Sequence, residues 1–153
     1  MRILLLADNK PGLFVSRFLV EHNENVIGLC LHEEKYRNNG DEIVKSLNLG
    51  KKYIFEVIDM KDDETFDFIQ SLKPDLILSI YWRYMLPERI IQLPEQGCIN
   101  YHPAMLPYNR GKNPNVWPII ENTPAGVSLH YIDTGIDTGD IIAQKEVKVE
   151  PTD

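Results

Sequence analysis

The feature that most constrains the fold is the alternation of short apolar runs with amphipathic segments through the first hundred residues. The apolar runs, which predict buried strands, cover residues 2–7, 26–31, 53–57, 76–80 and 97–101. Segments with helical spacing lie between them, at residues 13–21, 41–47, 65–72 and 87–93. Strands that alternate with helices pair in parallel through right-handed crossovers. The pattern therefore predicts an α/β fold, a mostly parallel, doubly wound sheet with helices on both faces.

The first strand-to-helix connection combines polar residues with Pro and Gly, so residues 8–12 are expected to form a turn. In the helix that follows, apolar residues recur at the spacing of one helix face. We expect that face to pack against the sheet, with Ser16, Arg17 and Glu21 on the other side.

The last third of the chain has a different pattern. Residues 113–121 predict a short helix, and the alternation in 127–131 and 141–149 predicts half-exposed antiparallel strands at a sheet edge. The whole chain, 1–153, is expected to be one domain. Thr152 and Asp153 give a helix-start signal that no helix follows, so we expect a truncated polypeptide that lacks at least one covering helix.

Charge and cysteine content restrict the partners and the compartment. The 153 residues carry a net charge of −7, which disfavours broad nucleic-acid binding, so no nucleic-acid partner is expected. The apolar runs are all shorter than the ~18 residues of a membrane helix, so no membrane partner is expected either. Cys30 and Cys98 are isolated in the sequence, which predicts two buried thiols in a reducing cytoplasm.

The strongest candidates for chemistry lie at the end of the fifth apolar run. Asn100 and His102 are two residues apart, so on an extended chain their side chains point to the same face. Asn100 can donate a hydrogen bond to a carbonyl oxygen that becomes negative in a tetrahedral intermediate. His102 can take a proton from an attacking amine. Asp137, in a Gly-flanked segment, is placed to fix the tautomer of the imidazole.

The neighbouring residues disfavour other kinds of site. No Ser or Cys is obviously paired with His102, so a covalent acyl-enzyme is not expected. His22, His32 and His130 are scattered and form no H-E-x-x-H motif, so no metal site is expected. The residue set best suits direct acyl or formyl transfer between two bound substrates.

The motifs around these residues resemble those of the folate-dependent formyltransferases. The matching segments are residues 100–107, Arg110-Gly111 and residues 133–140. The resemblance covers essentially the whole chain and implies a Rossmann-like catalytic domain. It also implies that Asn100, His102 and Asp137 are the catalytic residues and that 10-formyltetrahydrofolate is the formyl donor.

The resemblance further implies where folate binds. In the family, the pterin is held by backbone groups of the segment after the fourth strand and of the loop that carries the catalytic Asp. The corresponding residues here are Tyr84, Met85, Leu86, Ile132, Asp133, Thr134 and Gly135. The aromatic and apolar composition of residues 81–86 suits a flat heteroaromatic ring, although for Tyr81 core packing is the preferred interpretation.

Residues 106–117 should distinguish which amine is formylated. This segment is rich in Asn, whose amide suits sugar hydroxyls, and its two cations can meet phosphate, but a polar surface loop is an alternative interpretation. It resembles the nucleotide-sugar N-formyltransferases, so a nucleotide-linked amino sugar is the expected acceptor. The residues expected to contact that acceptor are Lys10, Tyr108, Asn109, Arg110, Gly111 and Asn113.

Several alternatives stay open at this point. The acceptor could be methionyl-tRNA or glycinamide ribonucleotide, or water in a formyltetrahydrofolate hydrolase. The domain could also bind folate or a nucleotide without catalysis. The oligomeric state is open as well, with a homodimer among the candidates.

Overall fold

A computed structural model describes residues 1–56 and 62–148 of the chain. The chain divides into two compact units, Met1–Cys98 and Ile99–Asp153. The three residues predicted to be catalytic all belong to the second unit, so their geometry follows from the fold of that unit alone.

In the described part of the chain, the first unit contains four parallel strands. They are β1 (Arg2–Ala7), β2 (Asn25–Leu31), β3 (Ile54–Glu56) and β4 (Leu76–Ile80). Their order is β3-β2-β1-β4, and Leu5 of β1 lies opposite Leu29 on one side and Leu78 on the other. A parallel strand that has neighbouring strands on both sides and helices on both faces is shielded from water, so its side chains are apolar. This explains why residues 3–7 of β1 are all buried.

Helices connect and follow these strands. They are α1 (Asn9–Glu21), α2 (Gly40–Leu47), α3 (Asp63–Ser71) and α4 (Glu88–Ile91), with short 3₁₀ turns at Glu34–Tyr36 and Lys51–Tyr53. The chain steps from β1 to β2 to β3 in one direction and then returns to the other side of β1 to form β4. With right-handed crossovers, this reversal places α1 and α2 on one face of the strands and α3 on the opposite face.

The predicted turn at residues 8–12 is wrong, because α1 begins at Asn9. Asp8 is extended, with φ −150° and ψ 162°, and ends the strand. Pro11 then falls in the first helical turn, where backbone N–H groups have no intrahelical acceptor and Pro costs nothing. Lys10, predicted to contact substrate, is therefore an exposed residue of the first turn of α1.

The predicted apolar face of α1 is wrong in part, because Leu19 is buried but Phe14, Phe18 and Val20 are exposed. The buried residues of the helix are Gly12, Ser16 and Leu19, whereas Phe14 is 72% exposed. Ser16 can be buried because its hydroxyl bonds that of Ser46 on α2 at 2.8 Å and also donates to a backbone carbonyl of its own helix. A Cβ at Gly12 would lie 3.0 Å from the Cβ of Ala7, so the absence of a side chain there lets the helix lie close to β1.

Among the described residues, the second unit contains three antiparallel strands and one short helix. The strands β5 (Cys98–His102), β6 (Gly126–Tyr131) and β7 (Ile141–Glu146) pair in the order β5-β6-β7. The helix α5 (Trp117–Glu121) begins four residues later than predicted. On β6, Ser128 and His130 are buried while Leu129 and Tyr131 are exposed. The predicted alternation is present, but its buried members are the polar ones.

The predicted fold class is confirmed: α/β, with doubly wound parallel strands in the first unit and antiparallel strands near the C-terminus. The far ends of the third and seventh predicted strands, at Val57 and Val149, and the helix-start signal at residues 152–153 lie outside the described residues. Cys30 and Cys98 are buried and are not joined by a disulfide, and burial raises the pKa of the Cys98 thiol to about 12. No helix within residues 1–56 and 62–148 has the length and apolar character needed to cross a membrane.

An ion pair between Arg2 and Asp75 joins the start of β1 to the residue before β4. The Arg2 side chain and backbone N–H both donate to the Asp75 carboxylate, which holds the pKa of Asp75 at about 2, below its ordinary value of 3.8. A carboxylate whose pKa is depressed by folding contributes stability above its ordinary pKa, and that contribution is lost as pH falls through the depressed value. Arg2→Met should raise the titration midpoint of Asp75 part of the way to 3.8, because the backbone donor remains.

A side-chain carboxyl NMR titration measures this midpoint. Arg17→Met, on the exposed side of α1, is the matched control and should leave the Asp75 midpoint unchanged. A midpoint that stays near 2 in Arg2→Met would assign the depressed pKa to some other cause.

Candidate active site

The polar face of the β5–β6 pair gathers the predicted site residues. Asn100 lies directly opposite His130, and His102 lies opposite Ser128. Residues opposite each other on antiparallel strands point to the same face, as do residues two apart on one strand. The four side chains therefore share one face of the strand pair.

Asp137 joins this face from the loop between β6 and β7. Its Oδ2 lies 3.6 Å from Nδ1 of His102 and its Oδ1 lies 3.4 Å from Nε2 of His130. The backbone N–H of Gly111 donates to Oδ2 at 2.8 Å. Asp137 itself adopts a left-handed backbone conformation, with φ +51°. The structure thus brings Asn100, His102 and Asp137 together, with the carboxylate between two imidazoles.

His130 is a residue of this cluster that the sequence analysis treated as scattered. Its Nε2 lies 3.1 Å from the Nδ2 of Asn100, and its ring meets that of His102 edge-on with centroids 6.2 Å apart. The only signal in the sequence is its place in the alternation of β6, seven residues before Asp137. The structure makes His130 a site residue because it is buried on β6, directly opposite Asn100.

Backbone carbonyls fix the tautomers of both imidazoles. Nε2 of His102 lies 3.0 Å from the carbonyl oxygen of Asn109, and Nδ1 of His130 lies 2.7 Å from that of Tyr131. A carbonyl oxygen only accepts, so each of these nitrogens carries a hydrogen. A neutral His102 therefore has its lone pair on Nδ1, facing Asp137. A neutral His130 has its lone pair on Nε2, where it accepts from the amide of Asn100.

Asp137 is held in its ionised form. Burial acts to raise the pKa of its carboxyl, but the contact with His130, the hydrogen bond from Gly111 and the positive charge that each imidazole carries when protonated outweigh this effect. The pKa of Asp137 consequently lies below its ordinary value. An ionised carboxylate beside Nδ1 stabilises the imidazolium that forms when His102 takes up a proton.

Ser128 is the hydroxyl residue nearest to His102 in the strand register, but its hydroxyl has other partners. It donates to the carbonyl of Ala104 at 2.7 Å and accepts from the N–H of Leu106 at 3.0 Å. The side chain of Gln144 donates to it as well. These bonds tie the segment after β5 to β6 and β7, so Ser128 serves the fold and is not aimed at the imidazole.

A cavity of about 250 Å³ lies beside the Asp137 carboxylate. Its lining includes Leu106, Arg110, Thr138 and Asp140. Arg110 is exposed, so its guanidinium can reach an anionic group that enters the cavity. A cation, a carboxylate and a hydroxyl around an open space next to the cluster describe a binding pocket for a polar ligand.

The chain matches a known protein family. Residues 7–153 match the formyl transferase family. The chain belongs to the formyl transferases. It is 33% identical to the methionyl-tRNA formyltransferase of Clostridioides difficile, over 98% of this chain and 50% of that protein. It is 31% identical to the GDP-perosamine N-formyltransferase of Brucella melitensis, over 99% of this chain and 59% of that protein.

The chain is also similar to a solved formyltransferase structure. That structure is of PseJ from Anoxybacillus kamchatkensis, in complex with UDP-4,6-dideoxy-4-formamido-L-AltNAc and tetrahydrofolate. The TM-score is 0.66 and the identity 29%, over 100% of this chain and 64% of that one. The chain thus spans about half the length of the first of these relatives and less than two thirds of the other two.

The residues predicted to contact the acceptor differ in where the structure places them. Tyr108 and Asn113 are exposed, and Arg110 lines the cavity. Asn109 bonds His102 through its backbone carbonyl and Gly111 bonds Asp137 through its backbone N–H, and the contact of both residues with the acceptor stays a prediction. Lys10 belongs to the first unit, as described above.

The loop predicted to hold the pterin in the second unit is organised by one of its own residues. The Asp133 carboxylate accepts from the N–H of Gly135 at 2.9 Å and from the hydroxyl of Thr138 at 2.6 Å. The hydroxyl of Thr138 contributes most to lowering the pKa of Asp133. Ile132 is half-buried and Thr134 is exposed. Hydrogen bonds within the loop therefore hold its conformation, and its contact with folate stays a prediction.

The corresponding segment of the first unit follows β4. The hydroxyl of Tyr84 donates to the carboxylate of Glu33 at 2.7 Å, which raises the pKa of Tyr84 and lowers that of Glu33. Leu86 is buried, whereas Met85 is 65% exposed. Of these predicted folate contacts, only the side chain of Met85 is left largely open to a ligand.

The first unit also buries a pair of titratable residues, Asp8 and His32. Nδ1 of His32 lies 3.2 Å from the Asp8 carboxylate, and the N–H of Arg83 donates to Nε2 of the same ring. Asp8 also accepts from the N–H of Asn38. These bonds join the segments that follow β1, β2 and β4. In residues 1–56 and 62–148 no three His, Cys, Asp or Glu side chains are grouped so that they could hold a metal ion.

Proposed function

We propose that this chain is the catalytic domain of an enzyme that transfers a formyl group from 10-formyltetrahydrofolate to the amine of a nucleotide-linked amino sugar. The observation that carries the proposal is the convergence of Asn100, His102 and Asp137 on one face of the second unit. Membership of the formyl transferase family supports the reaction. The assignment of residues 1–153 to one catalytic domain, a cytoplasmic location and a homodimer all stay predictions.

The reaction follows from what each group can do. The acceptor amine attacks the formyl carbon, and the carbonyl oxygen becomes negative in a tetrahedral intermediate. The side-chain amide of Asn100, which bonds His130, can donate an N–H to that oxygen. The proton lost by the amine passes to His102, whose imidazolium is stabilised by Asp137. When the bond between the formyl carbon and N10 of the folate breaks, that proton goes to N10, so the charges and atoms balance.

Direct transfer is favoured over a covalent acyl-enzyme. The hydroxyl of Ser128 is occupied by backbone and side-chain partners, as described above. The thiol of Cys98 is buried and has a pKa of about 12, so it is not a nucleophile near neutral pH. Two substrates bound side by side, with no enzyme-bound acyl group, therefore fit the residues best.

The choice of an amino-sugar acceptor rests on the relatives and on the cavity beside Asp137. It is supported by the likeness to the GDP-perosamine enzyme and to the nucleotide-sugar complex, and by Arg110 at the cavity beside Asp137. Methionyl-tRNA is the second candidate, because the relative from Clostridioides difficile is 33% identical. The net charge of −7 favours a small acceptor over tRNA.

A panel of acceptors tests both parts of the proposal. The chain is incubated with 10-formyltetrahydrofolate and, in separate reactions, a GDP- or UDP-linked 4-amino sugar, methionyl-tRNA, glycinamide ribonucleotide or no acceptor. Mass spectrometry identifies the formylated product, and absorbance follows the release of tetrahydrofolate. We expect formylated nucleotide sugar. Formylated methionyl-tRNA without any formylated sugar would contradict the acceptor, and folate release without acceptor would indicate a hydrolase.

A further inference from the structure

Asn109 contacts the catalytic imidazole through its backbone. Its carbonyl oxygen accepts from Nε2 of His102 at 3.0 Å. Because this bond places a hydrogen on Nε2, the neutral ring has its lone pair on Nδ1, which lies 3.6 Å from Oδ2 of Asp137. The carbonyl of Asn109 thus decides which nitrogen of His102 takes up and releases a proton.

The position of this carbonyl depends on an unusual backbone conformation. Asn109 has φ +57°, in the left-handed region where Asn is one of the few residues other than Gly that is tolerated. The turn before it is closed by a bond from the N–H of Tyr108 to the carbonyl of Met105. The conformation turns the Asn109 carbonyl towards the ring of His102.

The side chain of Asn109 holds this conformation in place. Its Nδ2 donates to the hydroxyl of Thr123 at 2.8 Å. Thr123 lies between α5 and β6, just before the strand that carries His130. The bond therefore ties the turn that presents the carbonyl to the entry of β6, across 14 residues of sequence.

We propose that Asn109 is a positioning residue for His102 rather than a contact for the acceptor. Its bond to Thr123 holds its own carbonyl against Nε2 and so reserves Nδ1 of His102 for the proton that the acceptor amine loses. The inference rests on the formyl transfer proposed above, but the position of the ring hydrogen can be measured without any turnover.

Thr123→Val tests the proposal, since it removes the hydroxyl and keeps the shape of the side chain. Nitrogen-15 NMR of the His102 ring, recorded at a pH above which the ring shifts no longer change, reports which nitrogen carries the hydrogen. We expect the wild-type ring to be protonated at Nε2 alone and the Thr123→Val ring to show both tautomers. We expect kcat to fall about fivefold to tenfold, as for loss of one hydrogen bond, with KM for the acceptor unchanged.

Two comparisons make the result specific. Thr123→Ser restores the hydroxyl and should return both the single tautomer and kcat to wild-type values. Thr65→Val, in α3, makes the same chemical change away from the site and should alter neither. If Thr123→Val does not fold, Asn109→Gly removes the same bond at a residue that tolerates positive φ, and the same mixed tautomers are expected.

Other outcomes separate this inference from the proposed function. A single Nε2–H tautomer in both Thr123→Val and Asn109→Gly would overturn the positioning role. So would a raised KM for the acceptor with kcat unchanged, because that result would make Asn109 a substrate contact. Mixed tautomers in the variants of a protein that formylates no acceptor would uphold the positioning role and refute the proposed reaction.

Discussion

Asp137→Asn is expected to lower kcat by about 10³-fold, because the variant loses the charge that stabilises the imidazolium formed on His102. The carboxylate lies near both His102 and His130 and accepts from the N–H of Gly111. An amide at this position has one acceptor oxygen where the carboxylate has two, and it carries no charge to stabilise an imidazolium. Its N–H group would instead donate to the lone pair on Nδ1 of His102 and favour the neutral ring.

The measurement is a steady-state comparison of kcat and of KM for folate and acceptor. Asp140→Asn is the matched control, because Asp140 lines the same cavity but has an exposed side chain. We expect the control to keep kcat and to change at most KM. A loss of less than about tenfold in Asp137→Asn would show that the carboxylate does not act on the proton transfer.

The effect of pH on the ionisation of Asp137 follows from the direction of its pKa shift. Its pKa is lowered in the folded protein, so the carboxylate is ionised at every pH above its ordinary value. The stability that it contributes through the Gly111 bond is lost only as pH falls through that lowered pKa. An acid limb of kcat near neutral pH must therefore belong to a group other than Asp137.

The parallel strands of the first unit could be predicted because their signal is local. A buried parallel strand needs a continuous apolar run, and residues 2–7 and 76–80 have one. The orientation of α1 could not be predicted in the same way. Its apolar residues indicated one face, but the hydroxyl of Ser46 on α2 satisfies that of Ser16 and allows it to be buried. That partner is 30 residues away, beyond any helical spacing.

The site could be predicted in part for a similar reason. Asn100 and His102 are two apart on one strand, so their shared face follows from strand geometry alone. His130 is brought to them by the β5–β6 register, which no local pattern reveals. The positioning role proposed for Asn109 depends on its carbonyl, a group that every residue has, and on its positive φ. Side-chain chemistry therefore predicted a substrate contact and could not reveal the bond between the Asn109 carbonyl and His102.

His102→Ala is expected to lower kcat by about 10³-fold while the protein still binds 10-formyltetrahydrofolate. Without the imidazole, the proton of the attacking amine has no acceptor next to Asp137, and N10 of the folate has no proton donor. Contacts with Asn109, Asp137 and His130 tie the side chain of His102 to the proposed catalytic cluster, so its loss should spare folate binding. Isothermal titration calorimetry measures binding, and tetrahydrofolate release measures turnover.

His22→Ala is the matched control, because His22 is exposed at the end of α1, and it should keep both binding and turnover. The pairing of the two measurements distinguishes an enzyme from a binding module. Lost turnover with retained folate binding in His102→Ala assigns the imidazole to the chemical step. Unchanged turnover in that variant would remove His102 from the mechanism. A wild-type chain that binds folate and formylates no amine would make the cluster a binding site without catalysis.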